Sequence, residues 1–432
     1  MIPHQTYARW RLLGAALMLA ATCGGGARAA TPGPAALAGA TLEKLVLVSR
    51  HGIRSPTTAP EGLKALTGRD WPAWPVPPGQ LTPHGRAALA GMAEALGARY
   101  RRLGLLPATG CPAPGTVAIW ADAADDRTRQ SGAIMAASLA PRCGLAAHSL
   151  AAGQADPFFN ALAAGAATLD QPRVTEALGQ AITRDRAQRP PPVRDALARL
   201  QALVAPDGCA RPDGPCLTGG LSLSWRPLSW RHGAPHLKGG PVQAATIAEN
   251  MMLAYSQGMS PRQVAWGAPD DAALLATILP AHAYAAMLTR RLPAIALPRG
   301  SVLSRAVIDL LAGRPVTLPD HGTIGPAARL VLFAGHDTTL DMLATIFGLD
   351  WHFADQPDPT APDTTLAFER WHLGDGSRAV RVVVLHQGLE QLRSARRPDL
   401  LGPNATELPI GTCAGATLCP LERLHPATLP PA

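Results

Sequence analysis

The sequence predicts an α/β fold: a central mixed, mostly parallel sheet flanked by helices, with an inserted α-helical cap domain. Three observations predict it. Two apolar, strand-like runs at 45–49 and 116–121 bracket a helical stretch at 82–103, and strand–helix–strand is the unit of a parallel sheet. From about 171 to 292 the chain is rich in Ala and Leu with helical periodicity and lacks β-branched runs, which reads as a helical insertion. Strand signals then return at 330–334, 365–371 and 380–386. The expected division is a leader at 1–29, an α/β domain in two parts at 30–165 and 296–432, and a cap at 166–295.

The leader comes first in the chain. Arg9 and Arg11 precede an apolar run at 12–21, and Ala27-Arg28-Ala29 offers a small-x-small cleavage site, the pattern of a secretory signal. The apolar run is shorter than the roughly 20 residues a spanning helix needs, and no other segment has that uninterrupted apolar length. The mature chain is thus expected to begin near Ala30, to be periplasmic or secreted, and to have no membrane association after cleavage. A membrane anchor is the rival reading of this segment, and lipidation at Cys23 a minor one.

Cleavage removes Arg9, Arg11 and Arg28 and no acids, so the formal charge falls from +8 to +5. Only Lys44, Lys64 and Lys238 are lysines, and the arginines are spread along the chain. That spread argues against a nucleic-acid stripe and is compatible with a small anionic substrate. Six cysteines remain after the leader. In an oxidising compartment they read as disulfides. Proximity suggests Cys111–Cys143, Cys209–Cys216 and Cys413–Cys419, one of fifteen connectivities. Neither CxxC nor a Cys/His zinc spacing occurs.

Within the first α/β segment, Thr82 is a candidate N-cap and Pro83 fits the first helical position, with Leu89, Met92, Ala93, Leu96 and Tyr100 forming the apolar face. Arg189-Pro190-Pro191-Pro192 and the Gly/Pro-containing stretch 205–220 interrupt the helical middle. The turn cluster at 373–377 fits an antiparallel hairpin at the sheet edge. The last 35 residues read as surface-wrapping loop, and Asn404-Ala405-Thr406 matches a glycosylation acceptor.

Three strand ends carry the chemistry. The run Leu45-Val46-Leu47-Val48 delivers Arg50, His51 and Arg54, with Gly52 letting the backbone turn closely. The second strand end leads into Asp125-Asp126-Arg127-Thr128-Arg129, and the strand at 330–334 ends in Gly335-His336-Asp337. Ligands collect at the carboxyl ends of strands in open α/β sheets, so these loops are expected to share a crevice. Arg50, Arg54 and Arg127 suit phosphate oxygens, with His336 as a further donor. Neutral His51 is a competent nucleophile toward phosphorus, and Asp337 can protonate the departing oxygen. The scheme needs no metal and no cofactor.

These motifs, RHGIRSP, DDRTR and HDTT, resemble those of the histidine acid phosphatases, a branch of the histidine phosphatase superfamily, and most closely the bacterial periplasmic phytase and glucose-1-phosphatase type. WPAWPVPPGQLTPHG, GCPAPG, LAPRCGL, ADPFFNAL, QVAWG, FERW and the terminal cysteine pair extend the resemblance over almost the whole mature chain. The resemblance implies His51 as phosphoryl acceptor, Asp337 as proton donor, and Arg50, Arg54, Arg127 and His336 as phosphate ligands. It also implies an α/β domain interrupted by a helical domain that roofs the cleft. Arg299 and Glu249 resemble substrate-contacting and cleft-facing positions, and Thr338 follows the donor. Where phytases of this group commonly carry a lysine, this chain has Thr58. A cysteine of some relatives is replaced by Ala167 and its late partner is missing too, which supports the three pairings above.

The implied protein is an exported acid phosphomonoesterase acting on phytate or a sugar phosphate, through a phosphohistidine, as a monomer. Two alternatives stay open: a phosphoryl transferase or mutase of the same superfamily, and a non-catalytic periplasmic anion-binding protein.

Overall fold

The computed structural model describes residues 37–428 apart from 212–213 and 230–231. By its internal contacts the chain falls into two units, Met1–Thr31 and Pro32–Ala432. The leader, its cleavage site and Cys23 lie outside the described residues, and everything below concerns the second unit. Its elements in order are β1 (Thr41–Arg50), α1 (Pro60–Thr67), α2 (Pro83–Arg102), β2 (Val117–Ala121), α3 (Asp126–Leu139), α4 (Gln171–Gln188) and α5 (Pro191–Val204). There follow β3 (Leu221–Ser229), β4 (His232–Gly239), α6 (Gly240–Ser256), α7 (Pro261–Ala265), α8 (Asp271–Ile278), α9 (Pro280–Arg290) and α10 (Pro293–Leu311). The chain ends with β5 (Val316–Leu318), β6 (Gly322–Ile324), β7 (Leu330–Gly335), α11 (Asp337–Phe347), β8 (Thr365–His372), β9 (Arg378–Leu385), α12 (Leu389–Ser394), β10 (Ala405–Leu408) and β11 (Leu418–Pro420).

The main sheet has seven strands in the order β10-β9-β8-β1-β7-β2, with β11 also on β9. Its parallel part is β1-β7-β2, where Arg50 lies opposite Gly335 and Ala121 opposite Ala334. Three carboxyl ends therefore emerge side by side at one level, which is what the three motifs require. The remaining pairings, β1·β8, β8·β9 and those of β10 and β11 with β9, are antiparallel. The sheet is mixed as expected, but parallel pairing is confined to the strands that bear the motifs. The short turn at 373–377 makes the expected β8–β9 hairpin, but in the interior of the sheet, because β10 and β11 add outside β9. The C-terminal segment thus extends the sheet instead of only wrapping it.

Alternation along β1 explains the two layers of core. Leu45 and Leu47 face Leu89, Met92, Leu96 and Tyr100 of α2 and Met135 of α3. Val46 and Val48 face Leu303 and Val307 of α10 and Leu340 and Leu343 of α11. All of these are fully buried or nearly so, and each such side chain contributes about 1.5–3 kcal/mol over its exposed state. The Thr82 hydroxyl accepts from the Gly85 N–H at 2.8 Å, with Pro83 at the first helical position as read from the sequence.

The middle of the chain contributes α5, α6, α8 and α9 to a third cluster, which Ile53, Leu63 of α1, Ala88 of α2 and Leu392 of α12 complete. Arg189 ends α4 and Pro191 starts α5, where proline tolerates the helix start. One feature there differs from expectation: β3 and β4 pair as an antiparallel hairpin within a stretch read as all-helical. Leu221, Leu223 and Trp225 alternate with Ser222 and Ser224, a period-2 pattern that dictates a strand. Helix α10 runs without a break across the expected boundary at 295/296; its first turn packs on α4, the rest on the sheet. The expectation that no segment beyond the leader has the uninterrupted apolar length of a spanning helix needs one amendment. Among the described residues, the stretch Asp271–Arg290 is long and apolar enough by length and composition, and its Leu274, Leu275, Ile278 and Ala281 lie in the cap core.

The three disulfides are Cys111–Cys143, Cys209–Cys216 and Cys413–Cys419, the pairs that proximity suggests. Asn404 of the glycosylation pattern is buried, and its amide donates to Gln391 Oε1 at 3.0 Å.

Candidate active site

His51 follows directly on β1, and its backbone is held on both sides: its N–H donates to the Gly335 carbonyl at 2.9 Å, and its carbonyl accepts from Asp363 N–H at 3.3 Å. The loop is then pressed against the start of α2. A Cβ on Gly52 would stand 3.0 Å from the Gly85 carbonyl oxygen and one on Gly85 2.1 Å from that of Ile53, so both glycines are required by close backbone approach. The His51 ring is buried, and its Nδ1–H donates to the Gly52 carbonyl at 2.9 Å. That bond fixes the tautomer and leaves the Nε2 lone pair free. Burial, then the charges of Arg50, His336, Arg54 and Arg127, hold the imidazole well below its usual range, so it stays neutral in acid.

Four cationic or donor groups converge on this ring. Arg50, with a wholly buried side chain, and Arg54 both donate to Glu249 Oε1, at 2.9 and 3.0 Å. Arg127, in the first turn of α3, donates to Asp125 at 2.7 Å. The His336 ring stands edge-on to His51 with centroids 5.4 Å apart. Its Nε2–H donates to Asp122 Oδ2 at 2.8 Å, and Asp122 is in turn fixed by the Asn160 amide and the Ala124 N–H. Only Nδ1 of His336 remains, and it becomes a second donor when the ring is protonated.

Asp337 opens α11, where the Thr338 N–H donates to its Oδ1 at 2.9 Å and the helix N-terminus favours negative charge. Its Oδ2 accepts from Arg290 Nη1 at 2.5 Å and lies 3.9 Å from Arg50 Nη2. Burial pushes this carboxyl up, but Arg290, Arg50 and His282 outweigh it and hold it well below the usual carboxylate range. Glu249 behaves alike: burial raises it, while Arg54, His282 and Arg50 bring it down to about 2.

The structure therefore brings together His51, Arg50, Arg54, Arg127, His336, Asp337 and Glu249, and uses Thr338 through its backbone. Among the described residues, Thr58 and Arg299 make no hydrogen bond or ion pair with this cluster. Thr58 is exposed and lines an apolar pocket of about 210 Å³ with Leu63, Trp74 and Val76. Arg299, on α10, lines a cavity of about 130 Å³ with Asn160, Leu169 and Thr289. Sequence reasoning missed Arg290 and His282 on α9, which no motif marks, and gave no role to Asp122, which is legible only as the residue directly after β2, three before DDRTR. Glu249, His282 and Asp337 offer donor atoms within 4.8 Å of one another. Both carboxylates there are paired with guanidiniums, so a divalent cation would have to displace Arg50, Arg54 and Arg290.

Asp363 is the other unexpected neighbour. It is fully buried at φ +68°, and neither carboxylate oxygen has a hydrogen-bond partner. Burial pushes it up to about 8, against a smaller pull from Arg50. In the unfolded chain it ionises from about pH 3.8, while in the fold it stays protonated to about 8, so its contribution to stability falls as pH rises between those values. Asp363→Asn, which tolerates the same backbone conformation, is expected to stabilise the fold by on the order of 4 kcal/mol at pH 7 and by little at pH 3.5. Thermal melts at both pH values check this; an equal change at both contradicts it.

A mixed sheet with helices on both faces, a mostly helical stretch between β2 and β5, and a histidine and arginines gathered at three parallel strand ends define a histidine phosphatase. Residues 41–191 match the histidine phosphatase superfamily (branch 2). The chain is 34% identical to the phytase AppA of Escherichia coli over 387 residues, 86% of this chain and 87% of that one. It is 24% identical to the glucose-1-phosphatase of Salmonella typhimurium, over 89% of this chain and 91% of that one. Among solved structures, Hafnia alvei phytase in complex with tartrate superposes with a TM-score of 0.80 at 32% identity, over 89% of this chain and 96% of that one. The chain belongs to the histidine acid phosphatases, and its chemistry is the hydrolysis of phosphate esters.

Proposed function

We propose that this chain is an exported acid phosphomonoesterase that hydrolyses inositol polyphosphates through a phosphohistidine on His51. The observation that carries the reading is the His51 ring itself, with Nδ1–H committed to Gly52 and Nε2 bare among guanidiniums. In the first step Nε2 attacks phosphorus, the ester P–O bond breaks, and Asp337 delivers a proton to the departing oxygen. In the second, water attacks the phosphohistidine, the N–P bond breaks, and the Asp337 carboxylate takes the water proton. Arg50, Arg54 and Arg127, with His336, bind the phosphoryl oxygens throughout.

The alternation of Asp337 between acid and base explains an acid preference: the carboxyl, held low in the free site by Arg290 and Arg50, must be protonated before the first step. The negative charge of a bound phosphate works in that direction. Cap residues Glu249, His282 and Arg290 reach the same cluster, which supports the segment 166–295 as a roof over it. The leader and the three disulfides support export to an oxidising compartment, and the chain is read as working as a monomer.

Two features bear on the substrate. The relatives include phytases, one of them solved in complex with myo-inositol hexakis sulphate, and Arg290 and Arg299 supply cations beyond those around His51. Against this, Thr58 brings no charge. Specificity constants in acid buffer for inositol hexakisphosphate, glucose 1-phosphate and nitrophenyl phosphate test the reading. The hexakisphosphate should lead glucose 1-phosphate by about tenfold or more, the worth of one charge-assisted hydrogen bond. A lead for glucose 1-phosphate overturns the substrate class.

A further inference from the structure

The proton donor of this site is clamped. Arg290 is the last residue of α9, and its Nη1 donates to Asp337 Oδ2 at 2.5 Å while lying 3.4 Å from Asp341 Oδ2, one turn further along α11. Asp337 also faces Arg50 from β1, Glu249 from α6 and His282 from α9, and Arg127 from α3 feels its charge. A carboxyl so placed is a carboxylate, whereas a general acid must carry a proton. A scissile phosphate bound by Arg50, Arg54 and Arg127 does not by itself release Arg290: it shares no hydrogen-bond partner with them, and only the 3.9 Å ion pair of Arg50 with Asp337 links the two sets.

Something else can take it. The Arg290 side chain is 22% exposed, so part of it is open to solvent. Near it on α10 is Arg299, which among the described residues has no hydrogen bond or ion pair and is disfavoured as a cation by burial and by Arg290 itself. Arg299 shares its cavity with Thr289, the residue before Arg290. Two guanidiniums, one unpartnered and one spent on the acid, form a place for a second anion.

We propose that Arg290 makes the proton donor substrate-dependent: it holds Asp337 as a carboxylate until a second phosphate of the bound ester draws the guanidinium away. Asp337 then takes a proton from solvent and passes it to the leaving oxygen. Esters with phosphates on neighbouring carbons generate their own acid, and isolated alkyl monoesters do not. This rests on Asp337 being the donor.

The test is the pH dependence of kcat, which reports groups in the substrate complex, for inositol hexakisphosphate and inositol monophosphate, in the wild type and in Arg290→Gln and Arg290→Lys. In the wild type the basic limb for the hexakisphosphate should lie at higher pH, by about one unit. Arg290→Gln should bring the two limbs together by raising that of the monophosphate, with its kcat on the old limb rising about tenfold. Arg290→Lys, which keeps the charge, should keep the limbs apart. The proposal is overturned if the limbs coincide in the wild type, a result that needs no variant to fold, or if Arg290→Gln slows both esters without moving the monophosphate limb. The donor role is checked separately through Asp337→Asn, by the ratio of inositol monophosphate to nitrophenyl phosphate turnover. If that ratio is unchanged the donor reading itself falls; if it drops while the wild-type limbs coincide, only the role of Arg290 falls.

Discussion

His51→Ala is expected to abolish phosphate release from every ester, lowering kcat by at least about 10⁴-fold. In the proposed reaction the ring does work that no neighbour can take over. Its Nε2 is the free lone pair at the centre of the guanidinium cluster, whereas His336 commits its own Nε2–H to Asp122. The strand end it occupies is held by backbone bonds to Gly335 and Asp363, so alanine leaves the loop in place. Arg50 and Arg54 keep their bonds to Glu249, and the variant should still bind inorganic phosphate. Titration with phosphate beside steady-state kinetics checks both halves. Activity within tenfold of the wild type would remove the nucleophile from the account.

Asp337→Asn is the second large effect. The amide keeps the shape and can still accept the Thr338 N–H, but it cannot give up a proton, and removal of a positioned acid typically costs about 10²–10⁴-fold. The loss should be greatest for alkyl phosphates, whose alkoxide leaves poorly, and smallest for nitrophenyl phosphate, whose phenolate leaves without help. An equal loss on both classes would mean that Asp337 acts by charge alone. Its carboxylate also neutralises Arg290, so the variant leaves that guanidinium with only Asp341 at 3.4 Å, which should tighten anion binding even as turnover falls.

Much of this site is legible in the chain because it is local. A strand that ends in RHG, another that ends in GHD and a third that leads into DDRTR each carry their chemistry within a few residues, and short-range periodicity identifies the strands. Even the cap of α2 at Thr82 can be read directly. What is not legible depends on packing. Arg290 and His282 reach Asp337 only because α9 lies against α11, and nothing in LTRRLP distinguishes one arginine from the next. The parallel pairing of β1, β7 and β2, as against the antiparallel remainder, is likewise a matter of which strands become neighbours after long excursions. Asp363 gives no signal in PDTT, because its burial comes from the turn that returns the chain to β1. The β3–β4 hairpin is the opposite case: its alternation is present in LSLSW, masked by the helical character of everything around it.

The central claim is that the phosphoryl group passes through a covalent bond to His51 Nε2. Rapid quenching of the enzyme with labelled phosphate ester tests it most directly. Label that survives alkali and is lost in acid is expected on the protein, mapping to His51 and absent from His51→Ala. Steady turnover with no label trapped at the earliest times, or label on a residue other than His51, would contradict it.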